Sequence, residues 1–137
     1  MKFKKFKFKK VRSTNNTAIR IIKKTHCKYG MVISESQTNG KGQYGRKWIS
    51  HKGNLFVTFF HEVNKIKFSI ATITKLNCLL IKKLISKYTN KKILYKKPND
   101  LLIEKKKICG ILQEIIFMQN KKSVSYTHLR AHETDYY

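Results

Sequence analysis

The chain has 137 residues, 41% of them hydrophobic and 12% aromatic, and a formal net charge of +24. That length and composition fit one modest globular domain and exclude a disordered tail. No apolar run reaches the length of a bilayer span, and the basic start MKFKKFKFKK has no apolar stretch behind it, so neither a membrane segment nor a secretory signal is expected.

Phe6, Phe8 and Val11 alternate imperfectly with lysines, which predicts an edge-like strand with a polar outer face. Residues 13–16 supply N-cap candidates, and Ala18 to Lys24 reads as a short helix. Gly30 is expected to end that unit, and Met31 to Ile33 to start a buried strand. Residues 34–48 then form a loop with three glycines and the only tryptophan. Gly53 to Phe60 is a second strand, rich in aromatic and β-branched residues.

Ser69 to Tyr88 gives the clearest helical signal. Ile70, Ile73, Leu76, Leu80, Leu84 and Ile85 recur at helical spacing, and Lys82, Lys83 and Lys87 lie near the C-terminal end, where the helix dipole favours cations. Ile93 to Tyr95 and Leu101 to Ile103 read as strand halves around Lys96-Lys97-Pro98-Asn99-Asp100. Lys105 to Lys107 is predicted as a turn and Ile108 to Met118 as a strand. Strands interleaved with two helices, several joined without one, define an α+β domain with a mixed sheet.

Residues 123–137, SVSYTHLRAHETDYY, contain no Lys, Ile, Asn or Phe. The phrase SYTHLRAHET resembles a translated sequencing adapter. Residues 1–122 are therefore read as the domain, incomplete at its C-terminal side, and 123–137 as a non-native tail expected to add nothing to the core. In His128-x-x-x-His132-Glu133 the two histidines have helical metal-ligand spacing, but no third ligand is evident, so no metal site is expected there.

The cysteines Cys27, Cys78 and Cys109 are odd in number and widely spaced, and read as free thiols of a reducing cytoplasm. The charge points first toward nucleic acid. However, arginine occurs only at Arg12, Arg20, Arg46 and Arg130, and the lysines are spread along the whole chain. A diffuse solvated basic surface accounts for that better than an arginine-based base reader.

Four segments carry chemistry. Gly40, Gly42 and Gly45 let the backbone approach a ligand, Lys41, Arg46 and Lys47 offer charge to phosphate or carboxylate oxygens, and Trp48 can shield an apolar group. Taken alone, such a loop is also what a mobile connector looks like. Ser13-Thr14-Asn15 puts hydroxyl and amide groups at a helix start. Lys96 stands at a strand end beside the only proline, which fixes the backbone there. Gly110 in GILQE leaves room for a ligand or for packing.

In order, STN, GKGQYGRKW, KKPNDLL and KKICGILQE resemble the catalytic domain of biotin–protein ligases (biotin–acetyl-CoA-carboxylase ligases) over about residues 6 to 119. The family pattern is STN, GRGRxGRxW, KWPNDL and a lysine, a hydrophobic and a small residue before GILxE. The resemblance implies a mixed sheet with flanking helices, of the class II aminoacyl-tRNA-synthetase-like type. It also implies a ligase using biotin, ATP and Mg2+. Biotin carboxylate attacks the α-phosphate of ATP to give biotinyl-5′-adenylate and pyrophosphate, and a lysine of a biotin carboxyl carrier protein then displaces AMP.

By motif position, Ser13, Thr14, Asn15 and Gln37 would line the biotin ureido pocket. Gly40, Lys41, Gly42, Gln43 and Gly110 would lie on the biotin side, with Lys41 and Lys96 acting on the carboxylate and phosphate. Gly45, Arg46, Lys47, Trp48, Asn99 and Asp100 would serve the nucleotide, the last two also its metal. The loop is expected to be disordered without ligand.

Three positions depart from the pattern. Lys41 and Gln43 replace loop arginines and Lys97 replaces tryptophan. The glycine-asparagine strand that follows GILxE in the family, its C-terminal β-barrel and a DNA-binding helix-turn-helix are not recognised, so no repressor role is implied. The alternatives are a lipoate–protein ligase or octanoyl transferase of the same fold, or a basic nucleic-acid-binding protein.

Overall fold

The computed structural model describes residues 3–119 and 123–131. Seven strands form one mixed sheet in the order β1-β2-β5-β9-β8-β7-β6. They are β1 (Lys4–Val11), β2 (Tyr29–Gln37), β5 (Leu55–Val63), β6 (Ile93–Lys96), β7 (Asp100–Ile103), β8 (Lys106–Phe117) and β9 (Ser123–Ala131). Only β1 and β2 run parallel, because α1 (Thr14–Thr25) carries the chain back between them; every other neighbouring pair is antiparallel. A two-stranded sheet, β3 (Gly40–Lys41) with β4 (Lys47–Trp48), stands apart from it.

The helices cover opposite faces, as side-chain alternation along the strands shows. In β2, Val32 packs with Ala18 and Ile22 of α1, whereas its neighbours Met31 and Ile33 join the cluster around Cys78 of α2 (Ile70–Ile85). In β5, Phe60 faces α1 and Val57 faces α2. The α2 cluster is the larger, drawing in Ile93, Leu101, Cys109, Ile111 and Leu129. Beyond it the outward flank of α2 leaves Leu76, Leu80 and Leu84 exposed.

The predicted elements are present, with shifted ends. Residue Ser13 caps α1 by accepting from Asn16 N (3.3 Å), so the helix starts four residues before Ala18. Gly30 does not end a unit but lies inside β2, where a Cβ would come 2.6 Å from the Lys4 carbonyl oxygen and 2.8 Å from Cζ of Phe60. Residues 34–37 belong to β2. The turn before β8 is at Glu104 and Lys105, both with positive φ, so Lys106 and Lys107 are already in the strand.

The expectation that residues 123–137 add nothing to the core is not met over 123–131. Residues 123–131 form β9, paired with β5 on one side and β8 on the other, and Leu129 is only 5% exposed. A strand therefore does follow GILQE, although it carries no glycine-asparagine pair. His132 and Glu133 lie outside the described residues. Among the described residues no group of three or more His, Cys, Asp or Glu gathers to hold a metal, and no helix is long and apolar enough to cross a membrane.

Candidate active site

The polar start of α1 is buried, and its side chains bond to one another. Thr14 donates its backbone N–H (2.8 Å) and its hydroxyl (3.1 Å) to Oε1 of Gln37. Thr58 Oγ1, from the middle of β5, lies 2.9 Å from Thr14 Oγ1 and 2.8 Å from Asn15 Oδ1. Asn15 donates through Nδ2 to Glu114 Oε2 of β8 at 3.0 Å. Ser13, Thr14, Asn15, Gln37 and Thr58 are all buried. Buried amides and hydroxyls must be paired, so this lattice fixes the rotamers of the groups facing a ligand.

The β3–β4 hairpin adjoins that lattice. Gln37 Nε2 donates to Ser50 Oγ and Ser50 donates to the Trp48 carbonyl, both at 3.4 Å. Gly40 is required here, because a Cβ would meet Gln37 Nε2 at 2.9 Å and Ser50 Oγ at 3.0 Å; at Gly42 a Cβ would overlap the Trp48 indole. The tip, Gln43–Gly45, turns through Tyr44 at φ 55, which leaves its ring 94% exposed. The loop is drawn together as a hairpin by the pairing of Gly40 with Trp48 and of Lys41 with Lys47. With Leu112 and Glu114 of β8, residues Lys41, Gln43, Arg46 and Lys47 line a cleft of about 630 Å³.

Lys107, the motif lysine three residues before Gly110, is the residue to which the sequence reading assigned no role. Its Nζ lies 2.7 Å from Oδ1 of Asp100 and 5.6 Å from the Trp48 ring centroid, with both charged side chains largely buried (15% and 18% exposed). Along β8, Leu101 pairs with Cys109 and Leu102 with Lys107, which leaves Ile108 as the extra residue of a bulge. Ile108 and Cys109 therefore both serve the α2 core, and Lys107 emerges on the face of Gly110. A Cβ at Gly110 would come 3.0 Å from Cε and 3.1 Å from Nζ of Lys107, so the glycine provides the slot the lysine occupies.

The other expected residues divide. Asn99 is buried and ties the KKPND turn to β8, donating Nδ2 to the Ile111 carbonyl (3.0 Å) while its own carbonyl accepts from Ile111 N (2.9 Å). Lys96 is exposed at the end of β6, in register with Asp100. Ser13, Thr14, Asn15, Gln37, Gly40, Lys41, Gly42, Gln43, Gly45, Arg46, Lys47, Trp48 and Gly110 gather around the hairpin, the lattice and β8. Thr58 was detectable as the polar residue interrupting the apolar run Leu55 to Phe60, and Glu114 as the acid ending GILQE.

The site thus combines a glycine hairpin, a lattice of buried amides and hydroxyls, and a largely buried lysine on one mixed sheet. The chain belongs to the biotin/lipoate A/B protein ligase family, whose model matches residues 7–127. It is 31% identical over 84 residues to the bifunctional ligase/repressor BirA of Escherichia coli, covering 61% of this chain and 26% of that protein. It thus spans about a quarter of the length of the curated relative. Among solved structures, the biotin acetyl coenzyme A carboxylase synthetase of Helicobacter pylori superposes with a TM-score of 0.79 at 18% identity, covering 98% of this chain and 63% of that one. The biotin protein ligase of Aquifex aeolicus superposes at 0.76 and 23% identity, covering 100% and 55%. A lipoate protein ligase of Thermoplasma acidophilum superposes at 0.56 and 12% identity. These structural likenesses establish the fold.

Proposed function

We propose that this chain is the catalytic part of a cytoplasmic biotin–protein ligase, which joins biotin to AMP and passes the acyl group to a lysine of a biotin carboxyl carrier protein. The observation that carries the reading is the separation of a buried neutral lattice (Thr14, Asn15, Gln37, Thr58) from a buried cation (Lys107) across the glycine hairpin. A ureido ring needs neutral donors and acceptors, and a carboxylate at the far end of the same molecule needs a positive charge. A dithiolane or plain acyl chain needs no such lattice, which favours biotin over lipoate or octanoate.

In this reading the Lys107 ammonium, held in a low-dielectric slot, stabilises the negative charge shared between the attacking carboxylate and the α-phosphate. Lys41, Arg46 and Lys47 hold the remaining phosphate oxygens, and Trp48 excludes water from the mixed anhydride. Mg2+ would enter with ATP: the site offers the carboxylates of Asp100 and Glu114, already paired with Lys107 and Asn15, so the phosphates themselves would supply most of its ligands.

The test is biotin-dependent exchange of pyrophosphate into ATP, in this chain and in the complete gene product, with lipoate and octanoate in parallel. Exchange with biotin alone is expected. Lys107→Ala should lower it by orders of magnitude, and Lys96→Ala far less, because Lys96 is exposed. Loss with Lys96→Ala and not with Lys107→Ala would return the charge-neutralising role to Lys96. Preferential exchange with lipoate would select the alternative substrate. Steeply salt-dependent DNA binding without exchange would support the nucleic-acid reading.

A further inference from the structure

Asp100 stands in a segment for which the family resemblance implies nucleotide and metal binding, yet its geometry points elsewhere. Its carboxylate meets the Lys107 ammonium at 2.7 Å, with both side chains largely buried. A buried ammonium needs a counter-charge, and a carboxylate on the neighbouring strand is the strongest one the fold supplies. The bulge at Ile108 and the missing Cβ of Gly110 complete the arrangement, since the first turns Lys107 onto the face of Asp100 and the second clears the path of its side chain. Trp48 closes the slot from the other side, its ring centroid 5.6 Å from Nζ.

We propose that Asp100 is a positioning residue for the carboxylate-binding cation and not a ligand of the nucleotide's metal. Its charge holds the Lys107 ammonium in place as an ion pair, so that the ammonium can offer N–H groups to an anionic oxygen placed beside Trp48. Asp100 thereby sets where the substrate carboxylate sits, through Lys107, without touching it. This inference rests on the biotin-ligase reading for the identity of that anion, but the Asp100–Lys107–Trp48 unit stands independently of it.

Two measurements on the full chain test it. Trp48 is the only tryptophan, so its emission reports the ammonium beside it without any ligand. Asp100→Asn should alter that emission in the same direction as Lys107→Met, and the double variant should match Lys107→Met alone. Unchanged emission in Asp100→Asn, or additive changes in the double variant, would overturn the proposal. Biotin binding measured by calorimetry without ATP or Mg2+ is the second readout. Asp100→Asn should weaken it about tenfold or more, as the loss of a largely buried counter-charge does. Lys107→Arg should restore part of what Lys107→Met loses.

If Asp100→Asn left biotin binding intact and instead raised the Mg2+ concentration needed for exchange, Asp100 would be a metal ligand and the proposal would fail. A wild-type chain that binds no biotin would remove the biotin reading, while the Trp48 signal would still decide the role of Asp100. Thermal melts of each variant separate misfolding from mispositioning.

Discussion

At the residue scale, Thr58 and Lys107 show how backbone register selects chemistry. Thr58 sits among Phe56, Val57, Phe59 and Phe60, and its hydroxyl reaches both Thr14 and Asn15. Thr58→Val keeps shape and removes the hydroxyl, leaving the buried Asn15 Oδ1 without its 2.8 Å partner. The expected cost is about 1–3 kcal/mol of stability, together with weaker biotin binding, read by thermal melts and calorimetry. A variant as stable as wild type would mean that the lattice rearranges around the loss. Lys107 stands in the motif as the lysine before GILQE, but its place on the site face depends on the bulge. Period-two alternation places it on the face opposite Gly110, and only the extra residue Ile108 brings the two together. The sequence carries no mark of that bulge.

At the element scale, the glycine hairpin and the α2–β8 contact each make a measurable claim. Gln43 is half-buried and lines the cleft beneath the hairpin, where the family usually has arginine. A guanidinium makes charge-assisted hydrogen bonds worth about 1.5–3 kcal/mol, against about 0.5–1.5 kcal/mol for a neutral amide. Gln43→Arg should therefore slow release of the acyl-adenylate and reduce acylation of the chain's own exposed lysines; Lys41 nearby limits the gain to a moderate one. Equal release rates from the two proteins would show that Gln43 does not contact the intermediate.

Between α2 and β8, burial pushes the Cys78 thiol up to about 11, helped by the Asp100 charge, and pushes the Cys109 thiol up to about 12, helped by Cys78. Both folded values lie above the ordinary 9.0, so the folded state holds these protons more tightly than the unfolded one. The stability they contribute is complete below pH 9.0 and is lost as pH rises through about 11 and about 12. Native protein at pH 8 should leave Cys78 and Cys109 unlabelled by a thiol reagent that modifies all three cysteines in denaturant. Rapid labelling of Cys109 under native conditions would show that this interface opens.

At the scale of the whole molecule, element types were legible because their periods are strong, as in the helix over Ser69 to Tyr88 and the apolar strand near Leu55 to Phe60. What was not legible was how distant strands meet. Nothing local announces that β9 lies between β5 and β8, since its residues differ in composition from all the rest. Yet among the described residues β9 is the strand that joins the β1-β2-β5 half of the sheet, with the amide lattice, to the β8-β7-β6 half, with Lys107 and Asp100. Burial of Leu129 alone contributes about 1.5–3 kcal/mol, and both ladders would be lost with the strand. Removing residues 123–137 should therefore lower the melting temperature by at least several degrees and weaken biotin binding, because Asn15 and Glu114 bridge the two halves across the β9 position. A deletion that melts with the wild type would instead show that the two halves hold together without this strand, and that the foreign composition of the segment marks it as dispensable.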